Sequence, residues 1–514
     1  MITASLILAL VVVLCSFLWL VLGIRKRESG EPPLENGLIP YLGCALQYGA
    51  NPLDFLRGRE QKYGSIFTCK IAGNFVHFVT DPFSFGPVLR AGRHFDWHQF
   101  HYATAAKVFG HSSMDPNQNA QTEDMHDKFM RAMEGDALEP LIVSMMEKLQ
   151  LIMLEPNSVK LTSKEWVTDG LYAFCYRVMF ESSYLSLFGN DFKDNPSAAR
   201  QAAQRALILN AMENFKEFDK IFPALVAGLP IHVFKTARNA RERLAKDLMQ
   251  EKLRKRSNLS DIVILRMFLN DSFANLNEMD KAKIQLALLW ASLANTIPAT
   301  FWTVFHLLRC PRTMKAANEE VKQVLEKASQ KVTAGGKLIT LTREQLDDMP
   351  ILDSMIKESL RLSSASLNVR VAKENFTLNL DTSNSFKIRK DDIVAFYPQL
   401  IHLDPEVYDD PLEFKYDRFL NENLEPKTDF YLRGRKLKYY YLPFGSGKTK
   451  CPGRHVAVYE IKQMITLFLS YFDIEYVDKN VKIPPLDQSR AGLGILQPTH
   501  DVNFRYKLKE HLSP

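Results

Sequence analysis

The chain is poor in cysteine, and what it has forms no pattern. Cys15, Cys44, Cys69, Cys175, Cys310 and Cys451 are scattered over 514 residues with no CxxC pair. That spacing argues against a disulfide ladder and for free, mostly buried thiols in a reducing compartment, an expectation held for five of the six. Strong charge of one sign is also missing. A net charge of +6 is mild for this length; it gives no reason to expect nucleic acid and suits an anionic membrane face or an acidic partner. No Gly-x-Gly-x-x-Gly opens a helix after a strand, so the chain has no nicotinamide site of its own. Past residue 44 there is no low-complexity tract, internal repeat or second linker. What is present is 46% hydrophobic and 24% charged, the profile of a globular protein.

Residues 2–24 carry no charged side chain, and Arg25, Lys26 and Arg27 follow at once. A helical span needs about 20 apolar residues. A cleaved signal would put its charges before the apolar run. Residues 1–24 are therefore expected to be an uncleaved transmembrane signal-anchor, with everything after them on the cytoplasmic side. Residues 25–44 are basic and proline-rich, which predicts a stiff hinge. Residues 45–514 then form one mainly α domain with small β-sheets. Alternation near 65–80 and 376–394 predicts strands. Helical periodicity is expected over 145–154, 162–180, 239–256, 279–310 and 452–472. The apolar, proline-broken run 221–231, followed by Lys235, Arg238, Arg241 and Arg243, reads either as buried core or as a shallow membrane contact with a basic rim.

Two segments carry chemistry. Residues 444–453 follow Phe-x-x-Gly-x-x-x-Cys-x-Gly, through Phe444, Gly447, Cys451 and Gly453. Glycines, Gly445 among them, let backbone approach a flat ligand. Pro452 suits the first position of a helix, which would put Cys451 at a helix N-terminus, where a thiolate is favoured. The second segment is the helix through Trp290, Ala291, Ser292, Asn295 and Thr296, apolar nearly all round and hence buried. Pro298 has no N–H, so the Ala294 carbonyl loses its helical donor and a local opening is expected at Ala294–Asn295.

With these residues the chain resembles the cytochrome P-450 (haem-thiolate) family over essentially its whole length. Glu358 and Arg361 match the family's Glu-x-x-Arg, which alone is as well read as a solvated helix pair; Arg418 matches the arginine of its Pro-Glu-Arg-Phe. The resemblance implies that Glu358, Arg361 and Arg418 brace the cysteine loop. It also implies that Cys451 is the axial ligand of heme b (iron protoporphyrin IX), cradled by Phe444, Gly447 and Gly453. Two family features are missing. Thr449 stands where an arginine or histidine usually pairs with a haem propionate, so Arg370, with Lys448 or Lys450, is expected to serve. The Trp-x-x-x-Arg signature is absent before residue 140, and Lys128 or Arg131 is its expected substitute. The family's oxygen-activating acid and threonine are Ala294 and Asn295 here. That departure, together with Thr449, resembles the branch containing sterol 7α- and 12α-hydroxylases and prostacyclin synthase.

The resemblance implies insertion of one atom of O2 into the 7α C–H bond of cholesterol, the opening step of bile acid synthesis. Electrons would come from NADPH through a separate cytochrome P-450 reductase, docked on a basic face at Lys448, Lys450 and Arg454. Asn295 and Thr296 are the expected catalytic residues. Trp290, Ala291, Asn295, Ala365, Leu367, Leu493 and Ile495 are the expected sterol contacts. The implied location is the endoplasmic reticulum membrane, single-pass. Alternatives are a sibling hydroxylase of oxysterols or of C12, a peroxide isomerase like prostacyclin synthase, and a non-enzymatic sterol or haem binder.

Overall fold

The computed structural model describes residues 10–14, 16–17, 25–39, 41–112, 114, 127–155, 165–192, 197–333, 336–380 and 384–512. Most of the expected membrane anchor lies outside the described residues. Those of its residues that are described are helical, and Leu10 to Leu14 and Phe17 are exposed.

Helix dominates, and eight long helices organise the interior. They are α1 (Glu139–Leu154), α2 (Leu171–Phe188), α3 (Ala198–Lys220), α4 (Glu278–Leu293), α5 (Thr296–Arg309), α6 (Pro311–Lys327), α7 (Pro350–Ser363) and α8 (Arg454–Tyr471). Local chemistry sets their ends. Proline occupies the first turn of α1, α6 and α7, where its missing N–H costs nothing. Asn277 and Ser197 cap α4 and α3 through their side-chain oxygens. The Glu320 carboxylate on α6 accepts from the Ile351 and Leu352 N–H groups at the start of α7. Helix α5 is buried from Thr296 to Leu307 and packs on α2, α7 and α8, so the centre of the molecule is a helix with almost no wet face. Taken with α4 it is long and apolar enough to cross a membrane, but 72% of that window is buried inside the protein.

The main sheet has six strands: β1 (Leu34–Glu35), β2 (Ile66–Ile71), β3 (Asn74–Val79), β4 (Phe95–Asp96), β5 (Asn368–Ala372) and β6 (Ile393–Phe396), in the order β1-β2-β3-β6-β5-β4. β2 and β3 form an antiparallel hairpin, and β3 runs parallel to β6. A second sheet joins Phe472–Tyr476, Asn503–Leu508 and Val167–Gly170. The segment after the anchor packs onto the main sheet. The Arg25 side chain is buried, donating to Asp392 (2.7 Å) and Glu31 (2.9 Å), and Asp392 also meets His77 at 2.9 Å.

Several expected elements are redrawn. The run 279–310 is two helices, because the chain leaves helical bonding at Ala294–Asn295, where Pro298 withholds its donor. The expected helix from 162 starts later, at Leu171, after a strand. The helix over 239–256 is split into Lys235–Asp247 and Gln250–Leu253. The strand over 376–394 resolves into a hairpin (Phe376–Asn379 with Ser385–Ile388) and β6. In 221–231, Phe222 and Leu225 are buried in a short helix, while Leu229 is exposed. Of the basic rim, Arg241 is buried and donates to the Val108 carbonyl.

Removing the Glu320 carboxylate leaves two N–H groups at the start of α7 without acceptors. Glu320→Ala is expected to cost about 1–3 kcal/mol, read as a lower thermal unfolding midpoint; an unchanged midpoint would contradict the capping role.

Candidate functional site

The cysteine loop is a tight hydrogen-bonded turn. The Cys451 N–H donates to the Phe444 carbonyl at 2.8 Å and the Gly445 N–H to the Leu442 carbonyl at 3.1 Å. Gly445 and Gly447 have φ of +71° and +64°, a region costly for residues with a Cβ. A Cβ on Gly453 would meet nothing within 4 Å, so that glycine leaves open space. Helix α8 begins at Arg454 with Gly453 as its cap; Pro452 is not its first residue, as the sequence suggested, and Cys451 lies a turn ahead of the helix. Burial accordingly pushes the thiol of the ligand-free chain up, with the Gly453 N–H and the Arg454 charge pulling the other way.

Behind the loop, Glu358 and Arg361 are fully buried on α7 rather than solvated. Glu358 receives Arg361 at 2.7 and 2.8 Å and Arg418 at 2.8 Å. Arg361 donates onward to the carbonyls of His402 and Pro411. His402 Nε2 in turn accepts the Leu442 N–H at 3.0 Å. The trio is thus linked, bond by bond, to the residue that opens the cysteine loop.

A cavity of about 360 Å³ joins that loop to the break between α4 and α5. Its size falls in the roughly 300–1,000 Å³ range of ligand sites. Among its lining residues are Ala291, Asn295, Thr296, Leu367, Phe444, Cys451, Gly453, Leu493 and Ile495, so most of the residues singled out from the sequence meet at one place. Trp290 does not line it: its Nε1 donates to Asp219 at 2.8 Å and its ring stacks on Phe222 at 3.7 Å. Ala365 is fully buried in another core, behind a backbone bond to Gly494. Lys128 and Arg131 are exposed and away from the lining. Asn295 is held by one bond, its Oδ1 accepting the Ile495 N–H at 2.9 Å. Gly494, at φ +142°, allows this, because a Cβ there would stand 2.2 Å from that oxygen.

Beside the cavity is a cradle for an anion. Arg370 is buried, and among the described residues its guanidinium donates only to the carbonyls of Val369 (2.7 Å) and Ser446 (3.0 Å). Among the described residues no carboxylate pairs with it, and burial pushes it down to about 10. Among the described residues, the Asn368 Nδ2 and Ser446 Oγ are buried without partners. Thr449 turns its hydroxyl to the Ser446 carbonyl at 3.1 Å. A buried cation and two orphaned donors fit a ligand that brings carboxylates. Gly447 is next to this cradle: a Cβ there would lie 3.8 Å from Arg370.

Sequence reasoning passed over Glu460. It lines the cavity from α8, is fully buried, accepts from the Ser183 hydroxyl and has no cationic partner. The signal was the one carboxyl in the sequence of α8.

The family model described as Cytochrome P450 matches residues 32–504. A protein named Cytochrome P450 7A1 from Oryctolagus cuniculus is 58% identical over 509 residues, covering 99% of this chain and 100% of that protein. One named Cholesterol 7-alpha-monooxygenase from Cricetulus griseus is 56% identical with the same coverage. The 7-alpha-hydroxycholest-4-en-3-one 12-alpha-hydroxylase of Homo sapiens is 35% identical over 97% of each chain.

Burial without a counter-charge pushes Glu460 from 4.5 up to about 8. A carboxyl raised on folding binds more protons in the native than in the unfolded state between those two values. Its stabilising contribution is therefore complete below pH about 4.5 and lost as pH rises through about 8. Glu460→Gln should flatten the fall in unfolding midpoint across that window; the same slope in the variant and the parent would contradict this.

Proposed function

The chain belongs to the cytochrome P450 family, and from that premise we propose that it is a haem-thiolate monooxygenase that hydroxylates cholesterol at the 7α position. The observation that carries the reading is the cavity in which Cys451 and Asn295 share apolar walls, in a chain 56% identical to a protein named Cholesterol 7-alpha-monooxygenase.

In this reading the Cys451 sulfur, as thiolate, would hold the haem iron. Arg370, Asn368 Nδ2 and Ser446 Oγ hold the propionates, in the place of the usual basic residue at 449. Phe444 and Gly453 would form the wall against the flat ligand, with Gly447 beside the Arg370 cradle rather than in the lining. When bound, the haem supplies the activation of O2, with one oxygen atom entering the substrate, the other leaving as water, and two electrons and two protons consumed. The protein's own work is positioning. Ala291, Leu367, Leu493 and Ile495 give an apolar surface that takes up the sterol and excludes water. Regiochemistry then follows from which C–H bond is held nearest the reacting centre. Asn295, with its oxygen committed to the Ile495 N–H, would keep its amide N–H groups to donate to a water or substrate oxygen in the cavity; Thr296 would add a hydroxyl beside it.

Electrons arrive from NADPH through a separate reductase. Its docking face includes exposed Lys450; Arg454 is already paired with Glu134, and the Lys448 side chain lies outside the described residues. Residues 1–24 anchor the protein in the endoplasmic reticulum membrane with this domain on the cytoplasmic side. Reconstitution with reductase, NADPH and cholesterol should yield the 7α-alcohol. Turnover without NADPH would point instead to a peroxide isomerase, and a C12 alcohol or a preference for oxysterols to a sibling hydroxylase.

Two variants probe the assigned roles. Asn295→Ala should lower product formed per NADPH by about tenfold, the loss of one buried hydrogen bond, while sterol affinity changes much less; unchanged coupling sinks the role. Arg370→Met should lower haem retention, read as haem per protein after gel filtration, and full occupancy would contradict the cradle.

A further inference from the structure

The residues 490–497 contribute Leu493, Gly494 and Ile495 to the cavity, yet they form no regular element beyond a single turn at Gln488–Arg490. Their shape comes from outside bonds. The inner side is tied to residues 363–367: Ala365 N–H to the Gly494 carbonyl at 2.8 Å, Gly492 N–H to the Ala365 carbonyl at 2.7 Å, and Leu496 N–H to the Ser363 carbonyl at 2.9 Å. The Trp302 Nε1 holds the Leu496 carbonyl at 2.7 Å.

Both ends of the loop converge on one buried carboxylate that the reaction does not use. Asp219, in the last turn of α3, is 5% exposed. Its Oδ1 accepts from Arg490 at 3.0 Å and from the Trp290 indole at 2.8 Å. Its Oδ2 accepts from Gln497 at 3.3 Å, and its backbone carbonyl takes a second bond from Arg490 at 3.2 Å. Arg490 is equally buried. The Trp290 ring so fixed is stacked by Phe222, just past the end of α3. One side chain therefore joins the end of α3, Trp290 of α4 and both ends of the loop that touches Asn295.

We propose that Asp219 is a positioning residue for the hydroxylation: by tying the 490–497 loop to α3 and α4 it sets where Leu493 and Ile495 stand against the sterol, and so which carbon is oxidised. The role rests on the hydroxylase reading above. A carboxylate is suited to it because one group accepts from a guanidinium, an indole and an amide at once, with charge to match the buried arginine. An amide in its place keeps the shape but leaves the Arg490 charge uncompensated in a dry site, the costly half of a broken buried pair.

The test compares the parent holoenzyme with Asp219→Asn, Trp290→Phe and Gln497→Leu, each reconstituted with reductase and cholesterol. Asp219→Asn should raise the sterol dissociation constant about tenfold, as for one lost charged hydrogen bond, and should lower the share of 7α among oxidised sterols. Its reduced-CO thiolate spectrum per haem should be unchanged. The two single-donor variants should move in the same direction by a smaller factor. A parent-like dissociation constant and product ratio in Asp219→Asn with an intact spectrum overturns the role. If Asp219→Asn does not load haem, parent-like values in both other variants overturn it. Should the parent itself give no 7α-alcohol, the hydroxylase reading fails separately. Amide hydrogen exchange of the same variants then decides the tie: faster exchange over 490–497 and 222–228 together upholds it, and exchange equal to the parent refutes it.

Discussion

A carboxylate with no exposed surface, Glu358, is shared by two guanidiniums, and the geometry of the cysteine loop depends on it. Taking these charges out of water costs several kcal/mol each, so a buried pair of this kind is weak evidence for added stability. What it supplies is direction. Arg361 spends its planar fork on Glu358 and its remaining N–H groups on the carbonyls of His402 and Pro411. Arg418 does the same with the carbonyls of Asp409, Asp410 and Glu413. Irregular backbone is thereby held as firmly as a helix would be. His402 is too buried to be charged, its ring pushed down to about 3, so its Nε2 stays an acceptor for the Leu442 N–H. Charge at α7 becomes a fixed neutral hydrogen bond at the mouth of the loop.

The opposite wall is held differently. There the constraint is an absence, the N–H that Pro298 lacks. The helix opens at Ala294–Asn295, and the Asn295 side chain meets the backbone of the 490–497 loop instead of continuing a helical face. That contact needs Gly494, whose backbone no other residue adopts without strain and whose Cβ would collide with the amide. The two walls thus differ in kind. One is braced at its back by a buried ion trio, while the other is assembled mainly from neutral backbone and amide bonds and tied at its ends by a single buried ion pair, Asp219–Arg490.

Much of this was legible in the residues. The cysteine loop declares itself by four spaced identities. The helix break follows from a single proline, and the buried character of α5 from its unbroken apolar content. What could not be read depended on partners far away in the chain. Trp290 looked like a cavity wall because it sits one residue before Ala291; its acceptor, Asp219, is 71 positions upstream. Arg370 was placed by its position after Glu-x-x-Arg, but the Ser446 carbonyl it bonds lies 76 positions on and reaches it only when β5 meets the loop. The start of α8 was misplaced by two residues because Pro452 satisfies a helix rule locally, while the Cys451 turn keeps that segment out of the helix. Glu460 escaped notice because a lone carboxyl on a long helix is ordinarily solvent-facing.

Under the proposed reaction, these placements bear on how protons reach the cavity. No carboxylate stands at 294, so the group beside the reacting centre is an amide with its oxygen already committed. Such a group donates but does not ionise, and it can hold a water without supplying the proton itself. The carboxyl that does line the cavity, Glu460, belongs to α8 on the cysteine side and is neutral below about pH 8; its hydrogen bond runs to Ser183. Under the proposed reaction a relay would be built from solvent held by Asn295 and Thr296, with the amide oriented by its bond from the Ile495 N–H. The loop that brings Leu493 and Ile495 to the cavity also fixes the Asn295 amide, so under the proposed reaction a single segment would set both substrate position and proton position.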